Sequence, residues 1–176
     1  MNENLKSKLI PFALAFAVII VDQITKAVIV ANIPPYTIGW TFAGDFLRIV
    51  HVANKGVAFS LGSTLSQTFR AILFSIAPLA VIAIVISVYF RNNDFSSLQR
   101  WCICGIVGGG IGNIIDRIFR SQGVVDFIDV KFYGIFGLER WPTFNAADAA
   151  IVVCGIILIV SFALTAKSAK DQGGKQ

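Results

Sequence analysis

Four stretches of this chain, Leu9 to Ala31, Phe69 to Phe90, Trp101 to Phe119 and Phe144 to Ala166, are long and apolar. Each could cross a bilayer, which takes about 20 mostly apolar residues in a helix. A segment in hydrocarbon must satisfy its backbone N–H and C=O groups internally, so spans of this kind are helical. The expected fold class is membrane all-α: a four-transmembrane-helix bundle. Hydrophobic residues make up 56% and charged residues 14% of the 176, outside the usual range of a soluble domain. No linker, charge run or internal repeat divides the chain, so residues 1–176 read as a single integral membrane domain. Lys6 and Lys8 look like the start of a secretion signal, but the apolar run after them is too long for one, and its retention is expected.

Four spans put both termini on one side. Lys6, Lys8, Arg91, Arg100, Lys167, Lys170 and Lys175 fall on that side, in short tails and one tight loop. Arg48, Lys55, Arg70, Arg117, Arg120, Lys131 and Arg140 are spread over the two longer connections. The positive-inside rule acts through short loops and makes both termini cytoplasmic. On the outer side, Tyr36, Trp40, Phe42 and Phe46 crowd one connection, and Phe132, Tyr133, Phe136 and Trp141 the other, as suits aromatic rings at headgroup depth. Pro34-Pro35 stops the first helix. The β-branched and aromatic run Phe46 to Ala53, the turn Asn54-Lys55-Gly56 and the run Val57 to Leu61 then predict a small β platform on the extracytoplasmic side.

The net charge of +5 is scattered among membrane-flanking segments and forms no phosphate-tracking stripe, which argues against a nucleic-acid partner. Cys102, Cys104 and Cys154 lie in apolar runs without C-x-x-C spacing. They read as packing residues, not as a disulfide framework or zinc site.

Carboxylates in so apolar a chain need a reason, because desolvating an unpaired one costs several kcal/mol. Asp22 and Lys26, four apart on the first span, can neutralise each other facing the bundle interior, or form a polar wall of a site. Gly105, Gly108, Gly109, Gly110 and Gly112 give the third span the small-residue spacing of a close helix contact. Asn113, Asp116 and Arg117 follow, with Asp116 free to pair with Arg117 or Arg120. Asn145 and Asp148 have capping-box spacing at the start of the fourth span. Asp126 and Asp129 read locally as solvated loop residues. Yet reagents for other hydrolytic chemistry are missing: His51 is the only histidine, and no H-E-x-x-H, G-x-S-x-G or S-x-x-K occurs. Carboxylates remain, and Asp126 with Asp148, both at the water edge of apolar segments, form the candidate pair. Two carboxyls held close share a proton, one activating water while the other donates to a carbonyl.

Together Asp22-Gln23-Ile24-Thr25-Lys26, Asn54-Lys55-Gly56-Val57-Ala58-Phe59, Gly109 through Arg117, Val125-Asp126-Phe127 and Phe144-Asn145-Ala146-Ala147-Asp148 resemble the ordered motif set of bacterial lipoprotein signal peptidase, or signal peptidase II. The resemblance implies an aspartic endopeptidase of the inner membrane that removes signal peptides from prolipoproteins, cutting before the diacylglyceryl-modified cysteine. It implies Asp126 and Asp148 as the catalytic pair, and Asn54 and Gly56 as contacts to substrate backbone. Asn113, Arg117 and Asn145 would line and polarise the site, with Asp22 in the same polar cluster. It implies lipidated prolipoproteins and membrane lipids as partners, globomycin as an inhibitor, and no metal or organic cofactor; a monomer is expected. Lys131 to Pro142 carries no motif. The rival reading is a small transporter or ion pathway through Asp22, Lys26, Asp116 and Arg117; a second is an assembly factor packing through its glycines.

Overall fold

The computed structural model describes residues 3–55, 69 and 72–173. Gly56, the run Val57 to Leu61, and Arg70 and Ala71 of the second expected span lie outside them. A short helix α1 (Glu3–Leu9) leads into α2 (Phe12–Asn32). Strands β1 (Ile38–Phe42) and β2 (Leu47–Asn54) follow. One π-helical turn (Ile72–Ile76) continues into α3 (Ala77–Arg91). Then come α4 (Ser97–Phe119), β3 (Val124–Val130), a 3-10 turn (Ile135–Gly137) and α5 (Ala146–Gly173).

Four helical stretches, Leu5–Asn32, Ile72–Arg91, Ser97–Phe119 and Ala146–Lys167, meet the length and hydropathy of membrane spans. Local chemistry sets their ends. The residue before a proline is pushed to extended backbone, and Ile33, before Pro34, has φ −122° and ψ 121° and ends α2. The third span, α4, begins before the expected Trp101, because Ser96 accepts from the Gln99 amide while the Gln99 side chain accepts from the Ser96 amide. That capping box satisfies N–H groups that the helix start leaves open.

Burial separates α4 from the rest. Its most apolar window is 61% buried, against 22% or less for the other three. Phe16, Ile20, Ile84, Val152 and Ile159 on those helices are exposed, an arrangement suited to lipid and costly in water. Glycines let the neighbours close on α4. A Cβ added at Gly108 would sit 2.7 Å from the Ala15 carbonyl oxygen of α2, and one at Gly112 would sit 2.7 Å from Asp22 Oδ2. Cys102 and Cys104 are buried, whereas Cys154 is half-buried, and all three are free thiols.

The sheet is antiparallel in the order β1-β2-β3. β3 is a strand, not the loop expected from the sequence: Val52 faces Asp126 and Arg48 faces Asp129 across the β2–β3 ladder. Its other side is clamped to the start of α5, where Phe127 N and Ile128 N donate to Phe144 O at 3.0 and 2.8 Å and Phe144 N donates to Ile128 O at 3.0 Å. Ile29, Ile33, Val125 and Phe127 pack the sheet onto the end of α2. The sheet therefore sits where α2 and α4 end and α5 begins.

Candidate active site

Asp126 lies in the middle of β3 with 3% of its surface exposed. Its alternation along the strand turns it toward the helices, away from Asp129. Both of its oxygens accept from amides: Oδ2 from Asn54 Nδ2 at 2.9 Å and Oδ1 from Asn145 Nδ2 at 2.7 Å. Asp148 stands in the first turn of α5. Its Oδ2 accepts from the Asn145 backbone N at 3.2 Å, and Asp148 N donates to Asn145 Oδ1 at 3.0 Å, the reciprocal pattern of a capping box. Its Oδ1 accepts from Asn113 Nδ2 at 2.7 Å. Since Asn145 Nδ2 also donates to Asn113 Oδ1 at 3.1 Å, two asparagines connect the two carboxylates. Neither carboxylate takes part in an ion pair among the described residues.

Burial pushes the Asp126 carboxyl up to about 6. The hydrogen bond from Asn54 works against that shift, the negative charge of Asp148 adds to it, and the bond from Asn145 and the charge of Lys26 oppose it. Arg117, on the last turn of α4, carries charge within electrostatic reach of Asp148, Asp126 and Asp116, and its buried Nε has no hydrogen-bond partner among the described residues.

Behind this pair lies a fully buried ionic knot. The Lys26 ammonium meets Asp22 Oδ2 at 2.8 Å, Asp116 Oδ2 at 2.9 Å and Asn113 Oδ1 at 3.0 Å, so each of its protons has an acceptor. Lys26, Asp22 and Asp116 have no exposed surface. Asp22 Oδ1 accepts from Ala147 N at 3.0 Å, Asp116 Oδ2 accepts from Val125 N at 3.1 Å, and Asp116 Oδ1 pairs with Arg120 at 3.0 Å. Each backbone donor precedes a candidate catalytic aspartate by one residue. The knot thus fixes both loop–element junctions while Lys26 orients Asn113. The pair of Asp22 and Lys26 is neutralised in the interior, as one of its two readings expected, and it lies behind the candidate carboxylates.

Asp22, Asn113, Arg117, Asp126, Asn145 and Asp148 are brought to one end of the bundle by α2, α4, β3 and α5, and Asn54 joins them from β2. Gly56 lies outside the described residues. Two contributors escaped the sequence reading. Gln23 donates to Asp22, to Asp116 and to the Gly112 carbonyl, and its place beside Asp22 was the only signal. Val125 acts through its backbone, for which side-chain chemistry gives no signal. Among the described residues no group of three or more His, Cys, Asp or Glu converges as a metal site requires.

A family model described as signal peptidase (SPase) II matches residues 14–164 of this chain. The chain belongs to the signal peptidase II family. The lipoprotein signal peptidase of Treponema pallidum (strain Nichols) is 50% identical over 167 residues, spanning 95% of this chain and 90% of that relative. That of Treponema denticola is 48% identical over 161 residues, 92% of each. A solved bacterial membrane enzyme superposes with a TM-score of 0.73 at 27% identity, covering 86% of this chain and 91% of its own. Membership makes the protein a membrane peptidase. The transport reading finds no support: Asp22, Lys26 and Asp116, three of the four charges it relied on, neutralise one another without exposed surface.

Proposed function

We propose that this signal peptidase II family member is an aspartic endopeptidase that cleaves diacylglyceryl-modified prolipoproteins just before the lipidated cysteine. The observation that carries the reading is the pair Asp126 and Asp148, joined through Asn145 and Asn113 and free of ion pairs among the described residues. A salt-bridged carboxylate is a poor proton carrier, whereas one held by neutral amides can exchange its proton during the reaction. Asp126, pushed up to about 6, is the member that keeps a proton within reach of neutral pH. Asp148 takes a proton from water, the water oxygen attacks the scissile carbonyl, and the Asp126 carboxyl donates to the developing oxyanion. Collapse of the tetrahedral intermediate moves a proton to the leaving amine and releases the signal peptide, with no acyl-enzyme formed.

Arg117 stabilises the charge that develops near the pair. Asn54, whose amide already points at Asp126, and Gly56 contact the extended substrate backbone, and the asparagines and Asp22 hold the carboxylates in register. The acyl chains of the substrate approach along the lipid-exposed helix faces, because a lipid-anchored peptide arrives sideways through the bilayer. The basic residues at the far end of the bundle favour cytoplasmic termini in the inner membrane, with the site near the extracytoplasmic face. The enzyme acts as a monomeric, cofactor-free single domain.

Incubating purified protein with a diacylglyceryl-modified prolipoprotein tests the proposal directly: a gel shift to the mature form is expected, and globomycin should block it. The unlipidated precursor should be cut far more slowly, since each buried CH₂ contributes about 0.8 kcal/mol to recognition. Equal rates on both precursors would remove the lipid from the substrate definition.

A further inference from the structure

The end of the bundle remote from the aspartates holds a second cluster of buried charge, with the opposite sign and no counter-ion among the described residues. Arg100, near the start of α4, is 5% exposed, and Lys8, at the end of α1, is 8% exposed. Neither takes part in an ion pair among the described residues. Lys8 Nζ donates to the Phe90 carbonyl and to Asn93 Oδ1, both at 2.7 Å. Arg100 Nη2 donates to the Asn92 and Asn93 carbonyls at 3.3 Å. The two cations thus meet at Asn93. Tyr89 and Phe95 face the guanidinium at 5.4 and 5.9 Å, while Arg100 Nη1 is buried with no hydrogen-bond partner among the described residues. Two desolvated cations held only by neutral groups are costly, and an orphaned guanidinium N–H adds to the cost.

Arg100 also lines a cavity of about 420 Å³ with Ser7, Ile10, Pro11, Asn93, Phe95, Ser97 and Trp101. The wall is half apolar and half hydrogen-bonding, and it forms where the α1–α2 break meets the turn between α3 and α4. Arg100 and Asp116 are separated along α4 by about 24 Å of helical rise, so the cavity lies at the opposite membrane surface from the aspartates. Ile10 and Leu98 beside it are exposed, which makes the cavity rim continuous with the lipid-facing surface of the spans.

We propose that this cavity binds the phosphate of an anionic glycerophospholipid from the leaflet on that side, with Arg100 as the donor and Lys8, held behind the wall by Asn93, adding positive potential at longer range. Guanidinium and phosphate match in charge and in donor–acceptor geometry. The apolar half of the wall, with Ile10, Phe95 and Trp101, receives the start of the acyl chains. The competing account is that Arg100 merely staples the α3–α4 turn.

The test uses the full-length protein, stripped of lipid in detergent and titrated with phosphatidylglycerol, with diacylglycerol or with inorganic phosphate. Native mass spectrometry counts the bound molecules and a melting curve reads stabilisation. Phosphatidylglycerol should add one tightly held molecule and raise Tm, while diacylglycerol and inorganic phosphate should do neither. Arg100→Gln should bind about tenfold more weakly, or about 1.4 kcal/mol. Because that variant also loses its turn contacts, Ser97→Glu is the second: it keeps Arg100 and sets a carboxylate in the cavity wall at a helix start, where negative charge is favourable. Ser97→Glu should stay folded, cleave substrate at the normal rate and fail to hold the lipid. Unchanged phosphatidylglycerol binding in both variants overturns the site. Equal stabilisation by inorganic phosphate overturns the lipid as its source, and equal stabilisation by diacylglycerol overturns the phosphate as the recognised group.

Discussion

Asp126 and Asp129 lie three residues apart on one strand, yet they are held in opposite ways. Asp126 faces the helices and, among the described residues, accepts from Asn54 and Asn145 alone. Asp129 faces the other way and meets two guanidiniums, Arg140 at 2.6 Å and Arg48 at 3.9 Å, and Arg140 also reaches Asp45. The same division runs through the helices, where Asp22 and Asp116 share Lys26 while Asp148 is bonded by Asn113 and the Asn145 backbone. Carboxylates that build the frame have been given cations. Those proposed to do chemistry have been given amides, which hold a carboxyl in place in either protonation state.

The largest effect should come from removing the exchangeable proton. Asp126→Asn and Asp148→Asn should each lower cleavage at least about a thousandfold while the protein stays folded. Melting curves across pH sharpen the point for Asp126. Its folded value of about 6 lies above the ordinary 3.8, so between those values the folded state holds a proton that the unfolded state has released. Wild-type stability contributed by this group therefore falls as pH rises through that window, by up to ~3 kcal/mol. Asp126→Asn lacks the titration and should gain in Tm relative to wild type from pH 4 to pH 7. A constant Tm difference would mean that the carboxyl is not raised.

Next in size is the frame. Lys26→Ala leaves Asp22 and Asp116 buried without their shared cation, at an expected cost of about 3–5 kcal/mol, readable as a large drop in Tm or in the yield of folded protein. Asn54→Ala should be milder, with turnover reduced about tenfold, a typical consequence of losing one hydrogen bond to a charged group. Its pH profile carries more information than its rate: the Asn54 bond lowers the Asp126 value, so its loss should move the alkaline limb of kcat/KM to higher pH. A shift to lower pH would reverse the role given to this asparagine. The smallest effect on turnover should be Asp129→Asn, within about twofold of wild type, although the variant should lose about 2 kcal/mol of stability, as for a hydrogen bond between charged groups at a buried carboxylate. Strong loss of activity in that variant would erase the distinction between the two faces of β3.

Some of this was legible from residue order. Span count, the stop at Pro34, the strand through Leu47 to Ala53 and the capping pattern of Asn145 and Asp148 are local properties, fixed by neighbours within a few residues. The clustering of Asp22, Asn113, Asp126 and Asp148 was reached through ordered motifs, since nothing in their spacing brings together residues up to 126 positions apart. Tertiary structure decided the rest. Val124 to Val130 is a strand because β2 and Phe144 supply hydrogen-bond partners on its two sides. The alternation this imposes, invisible while the segment reads as a loop, sends Asp126 to the helix face of the sheet and Asp129 to the opposite face, where Arg48 and Arg140 cover it. Lys26 is a three-acceptor hub only because glycines let α2 approach α4 closely enough for Asp116 and Asn113 to reach it. Apolar periodicity and caps are written in neighbouring residues, whereas the environment of a buried charge is set by whichever distant groups packing brings to it.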